Sequence, residues 1–446
     1  MSAEPDSHPR DRLKRQLTGW DATLLVVASV IGSGIFFTPG RVAELLGDPT
    51  WILAAWSFGA LLSLAGALAN AELGAMFPRA GGDYVYLREA FHPVAGFLVG
   101  WLSFFAIYTG TIVALATAFA TGLVSFLSWD EAATGSIAIA VTVAVSALNY
   151  VGVRWGAFAN NLTSLFKIGA LLAFVAIGPI VGSGDLGRLW DAGSSDSVGL
   201  GSFAKAMSPV LFSYLGWNAS VYVASEIRDP GRNLPRSLFA GLAICAGIYL
   251  LVNAVYLYSL PMETLRGVPD AGQASAGALF GSSGGTLVAI FVLVSILGTL
   301  NATVLVGPRI AYAMALDRLF FPGVDRVSQS FATPGRAIVV QGVMSVALLM
   351  FFPTFASAVD FTIFAILLAT MADVAALYRL RRTQPDRPRP YRAWGYPVLP
   401  GLYMAATGGI AIALLVGSPL ESLVGLALLA AGLPFYFWFA AKARRS

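Results

Sequence analysis

Long apolar runs separated by short polar stretches set the pattern of this chain. Runs of this length cross a bilayer as helices. Twelve spans are predicted, at about 20–47, 51–77, 93–127, 135–153, 156–182, 203–227, 237–260, 286–316, 336–354, 357–379, 400–417 and 421–441. The third and eighth are long enough to require tilt. The Gly/Ser-rich stretch 261–285 reads as a long loop.

Two runs carry an interruption. The first is apolar from about Ala22 to Leu46, with charge only at Arg41 and Glu44, and Ile31-Gly32-Ser33-Gly34-Ile35 lies within it. Two glycines around a serine are poor helix material. A break in lipid is tolerated only where it lines a cavity or packs in protein. A second half-helix starting near Ser33 and Gly34 would turn free N–H groups and the positive end of its dipole toward the membrane interior, a backbone site suited to a carboxylate. The competing reading is that the small residues only let helices pack closely. In the sixth run, Phe212-Ser213-Tyr214-Leu215-Gly216-Trp217-Asn218 follows Pro209 and clusters residues that favour helices poorly. Spans one and six lie five apart, the spacing of two inverted five-span repeats. An odd span count per repeat reverses orientation, so the two breaks can meet at the midplane. The expected fold is therefore all-α and membrane-embedded. A tail (1–19) precedes a first five-helix repeat (20–182). An outer loop (183–202), a second repeat (203–379), a cytoplasmic loop (380–399), two further helices (400–441) and a short tail (442–446) follow.

Composition agrees. Hydrophobic residues make up 57% of the 446, charged residues 12%, and mean hydropathy is +0.73. A soluble domain carries about 25% charged residues. The formal charge of +4 is no nucleic-acid signal, because the basic residues sort by side of the membrane. Of 28 Lys and Arg, only Arg188 and Arg266 fall in one set of loops. Arg41, Lys167, Lys205 and Arg309 lie inside spans, and the remaining 22, from Arg10 to Arg445, occupy the other loops and span ends. The basic side faces the cytoplasm, which places both termini there, in the cytoplasmic membrane. Residues 1–19 lack the order of a signal peptide, so the first span inserts the chain. The single cysteine, Cys245, allows no disulfide framework. His8 and His92 are loop residues, and no metal spacing or cofactor motif is present.

Several stretches together resemble the amino acid–polyamine–organocation (APC) superfamily of transporters, and within it the L-type amino acid transporter (LAT) branch and its bacterial relatives. They are Val30-Ile31-Gly32-Ser33-Gly34-Ile35-Phe36, Pro78-Arg79-Ala80-Gly81-Gly82-Asp83-Tyr84, Gly216-Trp217-Asn218, Glu226 and Asn233-Leu234-Pro235. The resemblance covers nearly the whole chain. It implies the LeuT-like arrangement of two inverted five-helix repeats plus two helices, alternating access, and a substrate held at both breaks. It also implies an aromatic gate at Phe212 and a structural ammonium at Lys167 near a span-eight hydroxyl, for which Thr299 matches. Animal members carry a cysteine after span three that tethers an accessory glycoprotein. Here Ser128 to Thr134 has none, so no disulfide-linked subunit is expected.

A free amino acid needs donors for its carboxylate and acceptors for its ammonium. The N–H groups of Ser33, Gly34 and Ile35 supply the first; carbonyls near Ile31, and near Phe212 and Ser213, supply the second. Gly32, Tyr214, Leu215 and Gly216 complete the two breaks, with Tyr249 and Asn253 of span seven as secondary candidates, against the plainer reading of interhelical glue. Lys167 lies mid-span, where an ammonium is costly and by default functional. It comes eleven residues after Gly156, roughly 16 Å along a helix, far for snorkelling. Its donors are expected near the carbonyls of Ala28 and Ser29 and the Thr299 hydroxyl. Glu72 and Glu226 are expected to pair with loop arginines, and Asp360 and Asp373 to be mainly structural. The stretch 77–91 is expected to hold a short helix at the interface. Secondary transport of neutral amino acids is the leading reading, sodium-independent because of Lys167. Cationic amino acids or polyamines are the alternative, but no acid lies in either break. A sensor would need an appended domain. An enzyme would need a catalytic constellation that the chain lacks.

Overall fold

The computed structural model describes residue 13 and residues 15–151, 153–190, 198–328, 330–331, 333–351 and 354–444. The expectations placed on His8, Arg10, Arg12, Lys14 and Arg445 lie outside these residues. In chain order the helices are α1 (Gly19–Val30), α2 (Gly34–Phe37), α3 (Pro39–Leu46), α4 (Pro49–Met76), α5 (Asp83–Ala90), α6 (Pro93–Leu102), α7 (Thr109–Leu127), α8 (Thr134–Val151), α9 (Val153–Val181) and α10 (Leu200–Tyr214). They continue with α11 (Ala219–Tyr222), α12 (Pro230–Ser259), α13 (Met262–Leu265), α14 (Ala271–Val306), α15 (Pro308–Leu316), α16 (Gly335–Leu349), α17 (Phe355–Thr383), α18 (Val398–Gly417) and α19 (Pro419–Ala443). A π-helical stretch, Ser103–Tyr108, joins α6 to α7. Among the described residues no strand forms; the only bridge joins Leu17 to Ile227. Among the described residues ten helical segments are long and apolar enough to cross a membrane, against the twelve expected, and Gly335–Leu349 is a shorter apolar helix.

Polar residues in the connections start these helices. Thr18 and Asp21 form a reciprocal capping box on α1. Asp48 accepts from the Thr50 and Trp51 N–H groups ahead of α4, and Pro49, Pro93 and Pro419 occupy first helical positions, where no N–H is needed. The stretch 261–285 is a loop only in part: α13 and the connection 266–270 lead into helix. Asp270 caps α14 by accepting from the Gln273 N–H at 2.8 Å, and helix runs from Ala271 onward with one non-helical residue, Gly281. Its small residues serve packing: Gly272, Ser275 and Ala276 are buried, Phe36 leaves no room for a side chain at Gly272, and the Ser275 hydroxyl bonds that of Ser259 at 2.5 Å. The helix α5 forms as expected, but most of it is buried against the protein rather than lying on the membrane surface.

Three buried acids in the bundle, Glu72, Asp360 and Glu226, have arginine partners. Glu72 takes both Arg381 (2.6 Å) and Arg389 (3.1 Å), plus the Ala393 N–H. Asp360 accepts from Ser208, Ser418 and Arg41. Glu226 pairs not with a loop arginine but with the in-span Arg309, at 3.1 Å and almost wholly buried. Removing one partner of such a pair strands the other charge, at a cost of about 3–5 kcal/mol. Glu226→Gln is therefore expected to lower the melting temperature of the purified protein by several degrees; unchanged melting would show that water reaches Arg309.

Candidate functional site

The first transmembrane helix stops at Val30. Ile31 is extended (φ −74°, ψ 92°) and helix resumes at Gly34. The first residues after the gap to find backbone acceptors are Phe36, Phe37 and Thr38. Among the described residues the N–H groups of Ser33, Gly34 and Ile35 have no backbone partner, and the buried Ser33 and Ser29 hydroxyls have none either. In the sixth span, helix persists through Phe212, Ser213 and Tyr214 and unwinds only at Leu215. The Leu215 N–H bonds the Phe212 carbonyl and ends the helix there, while the Ser213 hydroxyl bonds the Pro209 carbonyl within it. Gly216 then takes φ +99°, against the backbone of Ser29, a conformation open to glycine at little cost.

The two interruptions touch. A Cβ on Gly34 would lie 2.5 Å from Ser213 Cα, and Thr38 Oγ1 and Ser213 Oγ are 2.9 Å apart. Tyr249 ties them together: its hydroxyl lies 2.7 Å from the Val30 carbonyl and 3.0 Å from that of Ser213. Asn253 instead bonds its own helix at the Tyr249 carbonyl. Tyr214 points toward α4, where its hydroxyl bonds the Trp56 carbonyl at 3.1 Å. Phe212 is buried one turn before the unwound segment.

Lys167, fully buried on α9, donates to the Ile31 carbonyl at 2.5 Å, the Thr299 hydroxyl at 2.8 Å and the Ala28 carbonyl at 3.3 Å. Thr299 Oγ1 lies 2.8 Å from the Ile31 oxygen and 2.9 Å from that of Ala28. The lysine thus meets Ile31 rather than Ser29, and the Ile31 carbonyl, expected to face a substrate ammonium, is engaged by the protein itself in this conformation. One ammonium fastens the end of α1 to α9 and α14.

On the other side of Gly216, Ser29, Asn218, Tyr222, Thr303 and Asp83 border a small cavity of about 30 Å³, room for about one water. This cavity is therefore too small to hold an amino acid in this conformation. Sequence reasoning did not assign Asp83 and Tyr222 to this region. Asp83 sits outside any span, and nothing in the residue pattern shows that α5 folds back beneath the second interruption. Among the described residues no cluster of His, Cys, Asp and Glu is arranged to hold a metal ion.

The model of the amino acid permease family matches residues 17–438. The serine/threonine exchanger SteT of Bacillus subtilis is 31% identical, over 96% of this chain and 98% of its own. The rat b(0,+)-type amino acid transporter 1 is 28% identical over 93% of this chain and 86% of its own. The rabbit large neutral amino acids transporter small subunit 2 is 26% identical over 95% of this chain and 80% of its own. With touching helix interruptions and a buried bundle around them, this chain belongs to the amino acid permease family, as a multi-pass membrane transporter of the LAT branch of the APC superfamily, and it is not an enzyme.

Proposed function

We propose that the protein moves free neutral L-amino acids across the cytoplasmic membrane by alternating access, as an exchanger or secondary transporter that needs no sodium. The carrying observation is the apposition of Ser33-Gly34-Ile35 with Phe212–Gly216 where no acidic side chain intervenes. Backbone donors at one interruption suit a carboxylate, and carbonyls at the other suit an ammonium. Neutral substrates fit because neither interrupted segment contains an acidic residue, and the relatives named for serine/threonine and for large neutral amino acids point the same way. We read twelve spans, ten of them long and apolar enough to cross a membrane by themselves. The first is α1–α3, the third α6–α7, the sixth α10–α11 and the eighth α14–α15; inverted repeats comprise spans one to five and six to ten. The excess of Lys and Arg in one set of loops supports a cytoplasmic position for both termini. The buried, lone Cys245 offers no link to an accessory subunit.

Purified protein in liposomes preloaded with each amino acid in turn tests this reading. Labelled serine or leucine is expected to enter and to be competed by alanine. Uptake of arginine or putrescine without such competition would overturn it.

A further inference from the structure

Beneath the second interruption, on the basic side of the bundle, two carboxyls meet. Asp83 begins α5 and Asp373 lies on α17; both are buried and close enough for their carboxyls to interact. Asp83 Oδ2 accepts from the Tyr222 hydroxyl at 2.6 Å and from Ser103 at 3.4 Å, and Asp373 Oδ2 accepts from Asn70 at 3.1 Å. The remaining oxygens, Asp83 Oδ1 and Asp373 Oδ1, find no donor among the described residues, and neither does Asn70 Oδ1. Nor does an arginine or lysine pair with either carboxyl. The nearest charged group on α4, Glu72, is taken by Arg381 and Arg389. Tyr86, Tyr108 and Tyr403 are the other titratable groups around the pair.

An ionised carboxylate only accepts hydrogen bonds. Two of them in contact, buried and without a cation, cannot both be charged. We propose that Asp83 and Asp373 form a proton-binding site that holds one shared proton while the cytoplasmic side is closed and releases it to water when that side opens. The balance is simple: one O–H bond breaks on opening, the proton leaves as hydronium, and the pair becomes two solvated carboxylates. The site is connected to the substrate region, because Asn218 donates to the Tyr222 hydroxyl at 3.2 Å and stands two residues beyond Gly216. Asp83 and Asn218 also border the same small cavity. Burial pushes the Asp83 carboxyl above the usual carboxylate range. The closed state therefore binds more protons than the open one, and it loses stability as pH rises from the ordinary carboxylate range through the raised value. Low cytoplasmic pH slows opening.

The inference goes beyond substrate identity, and its first test involves no transport. Infrared spectra of the purified full-length protein near pH 7 are expected to show a protonated-carboxyl band that is lost in Asp373→Asn. Absence of that band in the parent, or its persistence in both Asp373→Asn and Asp83→Asn, overturns the proposal. In liposomes, exchange by the parent is expected to fall severalfold between about pH 8 and about pH 5.5, with a flatter profile in Asp373→Asn. Identical profiles also overturn it. If sodium or potassium rather than acid abolishes the difference between parent and variant, the pair is a metal-cation site and the proton reading fails. Failure of serine or leucine uptake would strike the substrate reading alone and leave the infrared result standing.

Discussion

Lys167→Ala is expected to cut exchange at least tenfold while changing substrate affinity much less. The lysine touches no position assigned to the substrate except the Ile31 carbonyl, and there it acts as a clamp. Its Nζ bonds Ile31, Thr299 and Ala28. Without it, the single Thr299 hydroxyl proton can serve only one of the two carbonyls it faces, so at least one buried acceptor is left without a donor. That costs about 1–3 kcal/mol. The loss falls on the conformation in which α1 is fastened to α9 and α14, and it shifts the balance of transport states by a comparable amount. A bound sodium ion would supply the same unit of charge between the same elements, so the parent should transport equally well in sodium and in choline buffers. Uptake that rises steeply with sodium, or parental rates in Lys167→Ala, would sink this account. Binding and exchange measured on the same preparation separate a clamp from a substrate ligand: a ligand would lose affinity first.

Much of the frame was legible because the bilayer imposes it. Length and apolarity locate ten of the twelve expected spans, while the expected sixth and ninth hold shorter helices. Gly32-Ser33-Gly34 coincides with the gap between α1 and α2, since two glycines withdraw both helix propensity and side-chain bulk at one place. The partnership of Lys167 with Thr299 was also foreseen, through the family resemblance rather than through any periodicity. Other features escaped for physical reasons. Composition read 261–285 as a loop, because small residues that let α14 pack against Phe36 and Ser259 have the same composition as a flexible linker. The sixth-span interruption begins three residues later than the residue propensities predict, because helical bonding continues to the Leu215 N–H, which reaches the Phe212 carbonyl. Asp83 and Asp373 are 290 positions apart, and Arg309 and Glu226 are 83 apart; such pairings arise only from helix packing.

Gly34→Val is expected to reduce substrate binding by about 100-fold or more, with the variant still inserted and folded. The argument begins with distance. A Cβ at position 34 would sit 2.5 Å from Ser213 Cα and 2.6 Å from its Oγ, and a backbone atom cannot rotate aside. The valine must push α2 away from the end of α10. This disrupts the contact between Thr38 and Ser213 and the Tyr249 hydroxyl that joins Val30 to Ser213. Overpacking of this kind costs typically about 1–3 kcal/mol, which a large buried bundle survives with a lowered melting temperature. Binding suffers more than stability, because a branched side chain also stands over the Ser33, Gly34 and Ile35 N–H groups that a carboxylate must approach. Each tenfold loss in affinity corresponds to about 1.4 kcal/mol. Displacing a carboxylate from two charge-assisted N–H bonds is worth about 3 kcal/mol or more, enough for the full 100-fold. Gly34→Ala, with one methyl group, should fall between parent and valine variant. Ligand-induced thermal shift in detergent measures both quantities at once. A valine variant that melts near the parent and keeps its serine- or leucine-induced shift would show that the substrate carboxylate lies elsewhere.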